Sequence, residues 1–481
     1  MSMEEQEIRS ENARLMERSK LTHLASTAMD ELIKMAEPDS HLWIKSLERG
    51  NEVFNHDEYE NIRSPFNTPK PNGFVTEVTR ETVMLHTNTA ALIETFLDAD
   101  RWAEMFPCMI VEAETLDVLS NGMDGTKNGS MQLMHVEIQL PTPLVSVREY
   151  NLISCKRLPS RCILEDMPDG FCKVTWVDHS QYDHESAVHQ IYHPLVNSGI
   201  AFGAHRWLTT LKRHCGSLAI PMSYVPSDNH AAISPSGKRS MLMLAQQMSD
   251  YFWSGVCLSS ACKWDILHIS NTGNDNMRIV SRKIPSAFGE NPSIVLCAST
   301  SVWMPVSRQR VFYFLHDAQM RGEWDFLSNG GSMHEMVHIA KGQGIANSVS
   351  IHAANGNKSN VLYLQDSWND GSVSMFVYSP IILKDFNMVM NGEDSSFVPL
   401  FPSSFSILQD DHSSNKTIVE TSSDGSSSSG SGGNSGCLLT FGFQILLCGL
   451  GTSKLTSKSV DTVNEHIARI IQNIKDALEV A

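Results

Sequence analysis

Two stretches of this sequence follow the same pattern: "FLDADRWAEMFPCMIVEAETLDVLSNG" at 96–122 and "FLHDAQMRGEWDFLSNGGSMHEMVHIAKG" at 314–342. Each begins as an amphipathic helix and continues into a strand. The surrounding elements also recur in order, with a long strand before, a meander of strands separated by Gly, Pro and Asp-Gly turns after, and a helix at the end. The repeat predicts two copies of one α+β fold, each a curved antiparallel sheet around its C-terminal helix.

The bulk composition fits two folded domains. At 481 residues the chain is too long for one hydrophobic core, and 41% apolar with 19% charged residues is typical of globular proteins. The net charge of −17 argues against binding of nucleic acid by this chain itself, because phosphate contacts need clustered Lys and Arg.

The sequence gives no sign of membrane insertion or secretion. The first residues have no apolar core of a signal peptide, and the most apolar run, "CLLTFGFQILLCGLG" from Cys437, is shorter than the roughly 20 residues of a membrane span. The ten cysteines form no C-x-x-C pair and lie mostly in apolar segments. This usage predicts reduced thiols in a cytosolic or nuclear protein.

Composition also marks the segments between the two copies. Residues 221–239, "PMSYVPSDNHAAISPSGKR", are rich in Pro, Ser and Asn, which predicts a linker. A Ser/Gly loop at 421–436 interrupts the last hairpin. Before the linker, one helix is predicted over 87–107 and a long closing helix from about Pro194 to Cys215, and after it a helix is predicted from Ser240 to about Ser260.

The sequence resembles a known family in several long segments. These are "ENARLMER" at 11–18, "LVSVREY", "KVTWVDH", "PLVNSGIAFGAHRWLTTLKRHC" at 194–215, the segment at 293–331 and "LLTFGFQIL". They are similar to the START region and the START-adjacent domain of plant class IV homeodomain-leucine zipper transcription regulators. The resemblance implies a residual zipper or linker helix at 1–20, a START domain of helix-grip fold at 21–220, the linker at 221–239 and a START-like domain at 240–481.

The chain departs from the family pattern in two places. Members carry a homeodomain and a full zipper before the START region, whereas only the zipper tail is recognisable here, so DNA binding is expected only through domains absent from this chain. The second departure is a strand missing near 157–161, where Leu158-Pro159-Ser160 alone joins two strands. A short turn predicts that these strands are antiparallel neighbours. Either "CILEDM" then loses its place, so that "CKVTWVDH" pairs with "REYNLIS", or an edge opens; both predict a damaged or narrowed cavity.

The candidate ligand site lies in the first copy. Arg148-Glu149 follows the apolar segment "PTPLVSV" at the start of a strand expected to face the cavity. A buried guanidinium must be paired, so Arg148 either holds a lipid phosphate or carboxylate or makes a salt bridge to Glu149 or Glu137 that supports the fold. The other residues expected to line the cavity are His135, Trp176, Ile200, Phe202, Gly203 and Trp207.

Other chemistry is weakly indicated. His179, His184, His189 and His193 recur at short intervals, but the segment passes from strand to loop to helix and lacks a zinc-binding frame. No nucleophile motif or dinucleotide fingerprint is present. We therefore expect no catalytic residues, no metal and no cofactor other than a bound phospholipid or sterol-like ligand.

The function implied by the resemblance is regulatory. A START module would bind a hydrophobic lipid ligand and so tune a nuclear transcription regulator of epidermal cell fate. Three alternatives remain: a lipid-transfer protein, a helix-grip enzyme, for which neither copy shows converging catalytic groups, or a variant unable to bind DNA that competes for the partners of full-length relatives. Localisation to the nucleus rests on the resemblance alone.

Overall fold

The structure is a computed structural model, and its described residues fall into two compact units. The described ranges are 3–38, 40–45, 52–62, 64–66, 71–123, 125–149, 155–183, 188–218, 233–256, 264–266, 277–284, 293–325, 332–342, 344, 346–354, 360–410, 436–447 and 457–480. The first unit comprises Met1–Ile138, Arg148–Ala187 and Gly199–Cys215, and the second comprises Gln139–Val147, Val188–Ser198 and Gly216–Ala481.

The described part of the chain up to residue 218 alternates short helices with antiparallel strands. Its elements are α1 Met3–Ala36, β1 Trp43–Lys45, β2 Glu52–Phe54, α2 His56–Glu60, β3 Phe74–Leu85, α3 Thr89–Leu97, α4 Ala99–Met105, β4 Ile110–Asn121, β5 Ser130–Ile138, β6 Arg148–Glu149, β7 Cys155–Arg157, β8 Arg161–Asp166, β9 Cys172–Asp183, α5 His193–Asn197 and α6 Ala204–Leu218. The predicted order of a long strand, a helical segment, a meander of strands and a closing helix is therefore confirmed.

Two predicted helices are each divided in two. Asp98 separates α3 from α4, and its carboxylate accepts a hydrogen bond from the backbone N–H of Arg101 at 3.1 Å. The predicted closing helix is interrupted between α5 and α6, where Gly199 has φ +74°, a left-handed conformation that suits glycine. The prediction that Gly199 and Gly203 lie within one helix was wrong.

The described strands of the first unit form a two-stranded pair, β1 with β2, and two larger sheets, with strand orders β3-β9-β7 and β4-β5-β6. Strand β9 pairs with β3 along twelve residues on one side. On its other side it pairs with both β7 and β8. The strand predicted at 148–157 reaches both larger sheets, since β6 pairs with β5 and β7 pairs with β9; residues 150–154 lie outside the described part.

The connection at Leu158–Ser160 is a bulge rather than a turn. Arg157 is opposite Ser180 and Arg161 is opposite Val177, so β7 and β8 run in the same direction along β9. Leu158 N–H donates to the carbonyl of His179 at 2.9 Å, which keeps the chain on the edge of β9. The predicted antiparallel turn was wrong, and "CILEDM" keeps its place beside β9.

The second unit contains a larger sheet covered by helices. Its described elements from residue 233 are α7 Pro235–Val256, β10 Asp265–Ile266, β11 Met277–Ile284, β12 Ser293–Met304, α8 Arg308–His316, α9 Arg321–Trp324, β13 Met333–Ala340, β14 Ser348–Ala354, β15 Val361–Asn369, β16 Ser374–Ile382, α10 Leu383–Met390, β17 Ser403–Gln409, β18 Cys437–Leu447 and α11 Ser457–Ala477. The nine strands form one sheet in the order β10-β11-β12-β18-β17-β16-β15-β14-β13.

Helix α11 closes one face of this sheet, as predicted. Its buried side chains Val463, Ile467 and Ile474 belong to one apolar cluster with Phe405 and Phe441 of β17 and β18. Helix α7 begins inside the predicted linker, five residues earlier than expected, and α10 was not predicted. Residues 221–232 of the predicted linker and 421–435 of the predicted Ser/Gly loop lie outside the described residues.

A buried charged cluster as candidate ligand site

The inner face of the β3-β9-β7 sheet, defined as the face toward α6, carries polar side chains. Alternation along β9 puts Trp176, Asp178, Ser180 and Tyr182 on this face. On the neighbouring strand β3, Glu81 is opposite Trp176, Thr79 is opposite Asp178, and Glu77 is opposite Ser180. Cross-strand partners share a face, so the sheet places two carboxylates side by side in the interior.

Arg148 lies over these carboxylates, between two aromatic rings. Its guanidinium carbon is 3.7 Å from the ring centroid of Phe202 and 3.9 Å from that of Tyr182. Its Nη2 is 3.6 Å from Glu77 Oε2, an ion pair longer than a hydrogen bond. Arg148 is 6% exposed and Glu77 8%, so the pair is shielded from solvent.

A second ion pair lies beside the first. Arg157 Nη2 of β7 is 3.1 Å from Asp178 Oδ1, and Asp178 is 1% exposed. We refer to Glu77, Arg148, Arg157, Asp178, Ser180 and Tyr182 as the buried cluster. It gathers residues from β3, β6, β7 and β9, and hence from both larger sheets of the first unit.

Burial changes the acidity of these groups. Burial raises the pKa of Glu77 to about 7; the charge of Arg148 opposes this shift and that of Asp178 adds to it. Burial also raises the pKa of Asp178 above its ordinary value, against the effects of Arg157 and Arg148. Close to neutral pH, Glu77 is therefore partly protonated, whereas an exposed glutamate would be ionised.

The cluster leaves hydrogen-bonding capacity unused. Within the described residues, Ser180 Oγ and Asp178 Oδ2 are buried without a hydrogen-bond partner. An unsatisfied buried polar atom costs about 1–3 kcal/mol, and native proteins contain few of them. Ser180 Oγ can therefore donate, and Asp178 Oδ2 accept, one further hydrogen bond.

Aromatic side chains fill the space next to the cluster. The rings of Trp176 and Trp207 stack at 4.9 Å and 12°, and Trp207 also stacks on Trp102 at 6.2 Å. All three tryptophans are at most 2% exposed. This stack gives the inner face an apolar part beside its charged part, as an amphiphilic ligand requires.

The predicted site residues do not all come together in one place. Arg148 and Phe202 meet in the buried cluster, while Trp176 and Trp207 form the stack. Gly203 lies just before α6, where a Cβ would overlap Gly199 O and lie 2.6 Å from Thr79 Oγ1, so this position requires glycine. Ile200 is half-buried in the connection before α6.

His135 lies on the opposite face from the one predicted. Ile138 is the cross-strand partner of Arg148, and His135 is three residues before it on the same regular strand. Side chains three apart on a strand point to opposite faces, so His135 does not share the face of Arg148. The side chain of Glu149 lies outside the described residues, so its predicted pairing with Arg148 stays a prediction. The structure adds an ion-pair partner that was not predicted, Glu77.

Sequence reasoning missed Glu77, Arg157 and Asp178. A signal was available, because "VTEVTRET" places Glu77 and Glu81, and "WVDHSQYD" places Asp178, on the same alternating face as Trp176 and Tyr182, which are expected to be buried. A buried carboxylate at such a position needs a cation, and Arg148 was already identified as one.

The histidines considered as metal ligands are placed separately. His179 of the first unit is 1% exposed and packs against the rings of Phe54 and Tyr59, while His184 lies outside the described residues. His193, in the second unit, has Nε2 2.9 Å from the carbonyl of Val188. A different group in the described residues, Glu112, His135 and Glu137, has ligand atoms within 4.8 Å of one another.

The sequence also made predictions about the cysteines and about membrane insertion. Seven described cysteines are free thiols, and five of them are buried. Among the described helices, none combines the length and the apolarity that a bilayer crossing requires.

Comparison with known families gives two matches. The START domain family matches residues 23–155 and 151–217, and the PDF2-like C-terminal domain family matches residues 234–480. The START match thus comes in two overlapping pieces, which meet a few residues before the bulge at Leu158–Ser160.

Curated relatives align along almost the whole chain. Homeobox-leucine zipper protein HDG1 of Arabidopsis thaliana is 43% identical over 96% of this chain and 61% of its own length. Homeobox-leucine zipper protein ROC6 of Oryza sativa subsp. japonica is 42% identical over 96% of this chain and 60% of its own length, and HDG7 of Arabidopsis thaliana is 40% identical over 95% and 67%. The chain spans about three fifths of the first of these relatives.

Solved structures with START folds also align, weakly. Human STARD10 covers 53% of this chain and 82% of its own, with a TM-score of 0.26 and 10% identity. Human StAR-related lipid transfer protein 5 covers 50% and 96%, with a TM-score of 0.24 and 12% identity. Similarities this low carry no argument about the ligand.

Proposed function

The chain belongs to the class IV homeodomain-leucine zipper family of plants, and from this membership we propose that its first unit is a regulatory module that binds a hydrophobic ligand. The polar end of the ligand contacts the buried cluster, and its apolar part packs against the aromatic stack. The role is binding rather than catalysis, and no cofactor other than this ligand is involved.

The buried cluster supports this proposal because it is built for recognition of a polar group. Arg148 and Ser180 can donate hydrogen bonds, and Asp178 can accept them. A phosphate or carboxylate would pair with Arg148, while Glu77, with its pKa of about 7, can take up a proton when its cation is shared. The ligand class is therefore a phospholipid or a sterol-like amphiphile with a polar end of this chemistry.

Binding would regulate by stabilisation. A ligand that binds only the folded unit stabilises it by RT ln(1 + [L]/Kd), which is about 2.7 kcal/mol at a hundredfold excess over Kd. Such a change alters the abundance of a marginally stable protein without any chemical step. We propose that this occurs in the nucleus, in a transcription regulator of epidermal cell fate that contacts DNA through its homeodomain.

The observation that carries the proposal is the Arg148–Glu77 pair, buried between two aromatic rings and longer than a hydrogen bond. The test is native mass spectrometry of the protein purified from a eukaryotic host. The wild type should carry an amphiphile of defined mass, and Arg148→Gln should lower its occupancy at least about tenfold, since one lost charge-assisted contact is worth about 1.5–3 kcal/mol.

Lys173→Gln is the matched control. Lys173 lies on β9 of the same sheet, but its ion pair with Glu165 at 2.9 Å is on the surface. This variant should retain the ligand. Wild-type protein without any bound amphiphile, or equal occupancy in the Arg148 variant, would contradict the proposal.

A further inference from the structure

Helix α1 ends against the outer face of the β3-β9-β8 sheet. Its buried side chains Leu32 and Met35 share an apolar cluster with Phe54, Tyr59 and β9 residue Val177. The helix therefore continues directly into the packing of the first unit, on the side away from the buried cluster.

Arg80 of β3 holds the last turn of α1. Its Nη1 donates to the carbonyl of Met35 at 3.3 Å and also to the carbonyl of Glu37. These are carbonyls that a helix end leaves without intrahelical partners, and a cation there is favoured by the helix dipole. Trp43 adds a second donor, since its Nε1 donates to Met35 O at 2.7 Å.

Arg80 is itself fixed in place. Its guanidinium carbon is 4.7 Å from the ring of Trp43, and its Nε donates to Glu52 Oε2 at 3.1 Å. The side chain is only 5% exposed. Arg80 therefore connects α1, the β1-β2 hairpin and β3 with a definite geometry.

The neighbours of Arg80 on β3 point to the inner face and contact the buried cluster and α6. Glu77 pairs with Arg148, as described above. Thr79 Oγ1 accepts a hydrogen bond from Ala204 N–H at 2.8 Å, and Glu81 Oε2 is 2.8 Å from His205 Nδ1, so the strand also holds the first turn of α6. Five consecutive residues of β3 thus contact the interior on one side and α1 on the other.

We propose that β3 couples occupancy of the buried cluster to the stability of the C-terminal turns of α1, with Arg80 as the positioning residue that transmits the change. This coupling rests on the proposed function. It states how ligand binding at the buried cluster would change the stability of α1. A shift of Glu77 and Thr79 on ligand binding moves the backbone of β3, and the carbonyl contacts of Arg80 change with it. The affected helix contains the segment that resembles the zipper tail.

Hydrogen exchange of backbone amides, measured by mass spectrometry without any lipid, tests this coupling separately from ligand binding. Arg148→Met perturbs the interior, and peptides covering 21–36 report on α1. In the otherwise wild-type chain the substitution should speed exchange in the last turns of α1 by about fivefold or more, the lower range of allosteric coupling. In chains that already carry Arg80→Gln, exchange in the last turns of α1 should be fast from the start, so Arg148→Met should increase it little further.

The coupling is wrong if Arg148→Met changes exchange in α6 but not in α1, or changes α1 equally with and without Arg80. Peptides covering 130–138 of β5 distinguish coupling from unfolding of the whole unit. If the β5 peptides exchange at once, Arg148→Met has unfolded the whole unit. The milder Glu77→Gln then replaces it, and its effect on α1 is again compared with that on α6 and between chains with and without Arg80. If the wild type carries no bound lipid, the proposed function is wrong. The exchange measurement, made without lipid, still decides whether β3 couples the cluster to α1.

Discussion

Both units bury an arginine against aromatic rings, but they hold it in different ways. In the second unit, Arg321 Nε donates to Asp325 Oδ2 at 2.9 Å, one helical turn along the chain, and the guanidinium carbon is 3.8 Å from the ring of Tyr378. In the first unit, Arg148 pairs with Glu77 across two different sheets at 3.6 Å. The Arg321–Asp325 pair is therefore short and hydrogen-bonded, whereas the Arg148–Glu77 pair is longer than a hydrogen bond.

On the proposal that the first unit binds a ligand, this difference separates a structural ion pair from the proposed recognition site. A pair made within one turn forms with its helix and needs no movement elsewhere. The Arg148–Glu77 pair depends on the position of two sheets, and its carboxylate has a pKa of about 7. A ligand can therefore compete for Arg148 at low cost, while removal of Asp325 from Arg321 would leave a buried charge.

The largest effect is expected from Arg321→Met. This substitution leaves Asp325, which is 3% exposed, as a buried charge without Arg321, and breaking a buried pair in this way costs about 3–5 kcal/mol. Hydrogen exchange of peptides in β16 should show the loss in the second unit. The double variant Arg321→Met with Asp325→Leu should recover most of the stability; equal destabilisation of single and double variants would mean that the pair is not the cause.

The next effect concerns pH and the first unit. Because the pKa of Glu77 is raised to about 7 in the folded state, its protonated form stabilises the fold below about pH 4.5, and this contribution is lost as the pH rises through 7. The loss should be about 3 kcal/mol, since a shift of one pKa unit corresponds to about 1.4 kcal/mol. Urea denaturation between pH 4.5 and 8 measures it, and Glu77→Gln should remove this contribution. Within the first unit His179 opposes Glu77, because burial lowers the pKa of His179 to about 3, so the Glu77 contribution is read as the difference between the wild type and Glu77→Gln.

In the second unit, the contribution of His352 has the opposite sign to that of Glu77. Burial lowers the pKa of His352 to about 4, so its neutral form contributes stability that is lost as the pH falls from about 6.5 through 4. Exchange in peptides of β14 should therefore increase on acidification, and His352→Asn should reduce the increase. An equal increase in the wild type and in His352→Asn would contradict this assignment.

The smallest effect on stability is expected from Arg148→Met without ligand. Glu77 can take up a proton when its partner is lost, so the cost should be about 1 kcal/mol, well below that of Arg321→Met. Chemical denaturation of delipidated protein checks this order. A cost as large as that of Arg321→Met would show that the Arg148 pair mainly supports the fold.

The sequence predicted the fold better than the site. The positions of β3, β4, β9 and α11 followed from alternation and helical periodicity, which depend only on neighbouring residues. The partner of Arg148 could not be found in this way, because Glu77 reaches it only through the pairing of strands far apart in sequence.

Local backbone features account for the remaining errors. The bulge at Leu158–Ser160 keeps β7 and β8 in line through hydrogen bonds to His179, where a three-residue connection alone indicates a turn. The break before α6 depends on the left-handed conformation of Gly199 and on Thr79, which accepts a hydrogen bond from the first residue of α6. Tertiary contacts decide both features.

The most direct measurement compares the two arginines in one experiment. Native mass spectrometry of the wild type, Arg148→Met and Arg321→Met, all purified from the same eukaryotic host, gives the number of amphiphiles bound per chain. The account predicts a bound amphiphile in the wild type and in Arg321→Met chains that remain folded, and its loss in Arg148→Met. An amphiphile retained in Arg148→Met would contradict it.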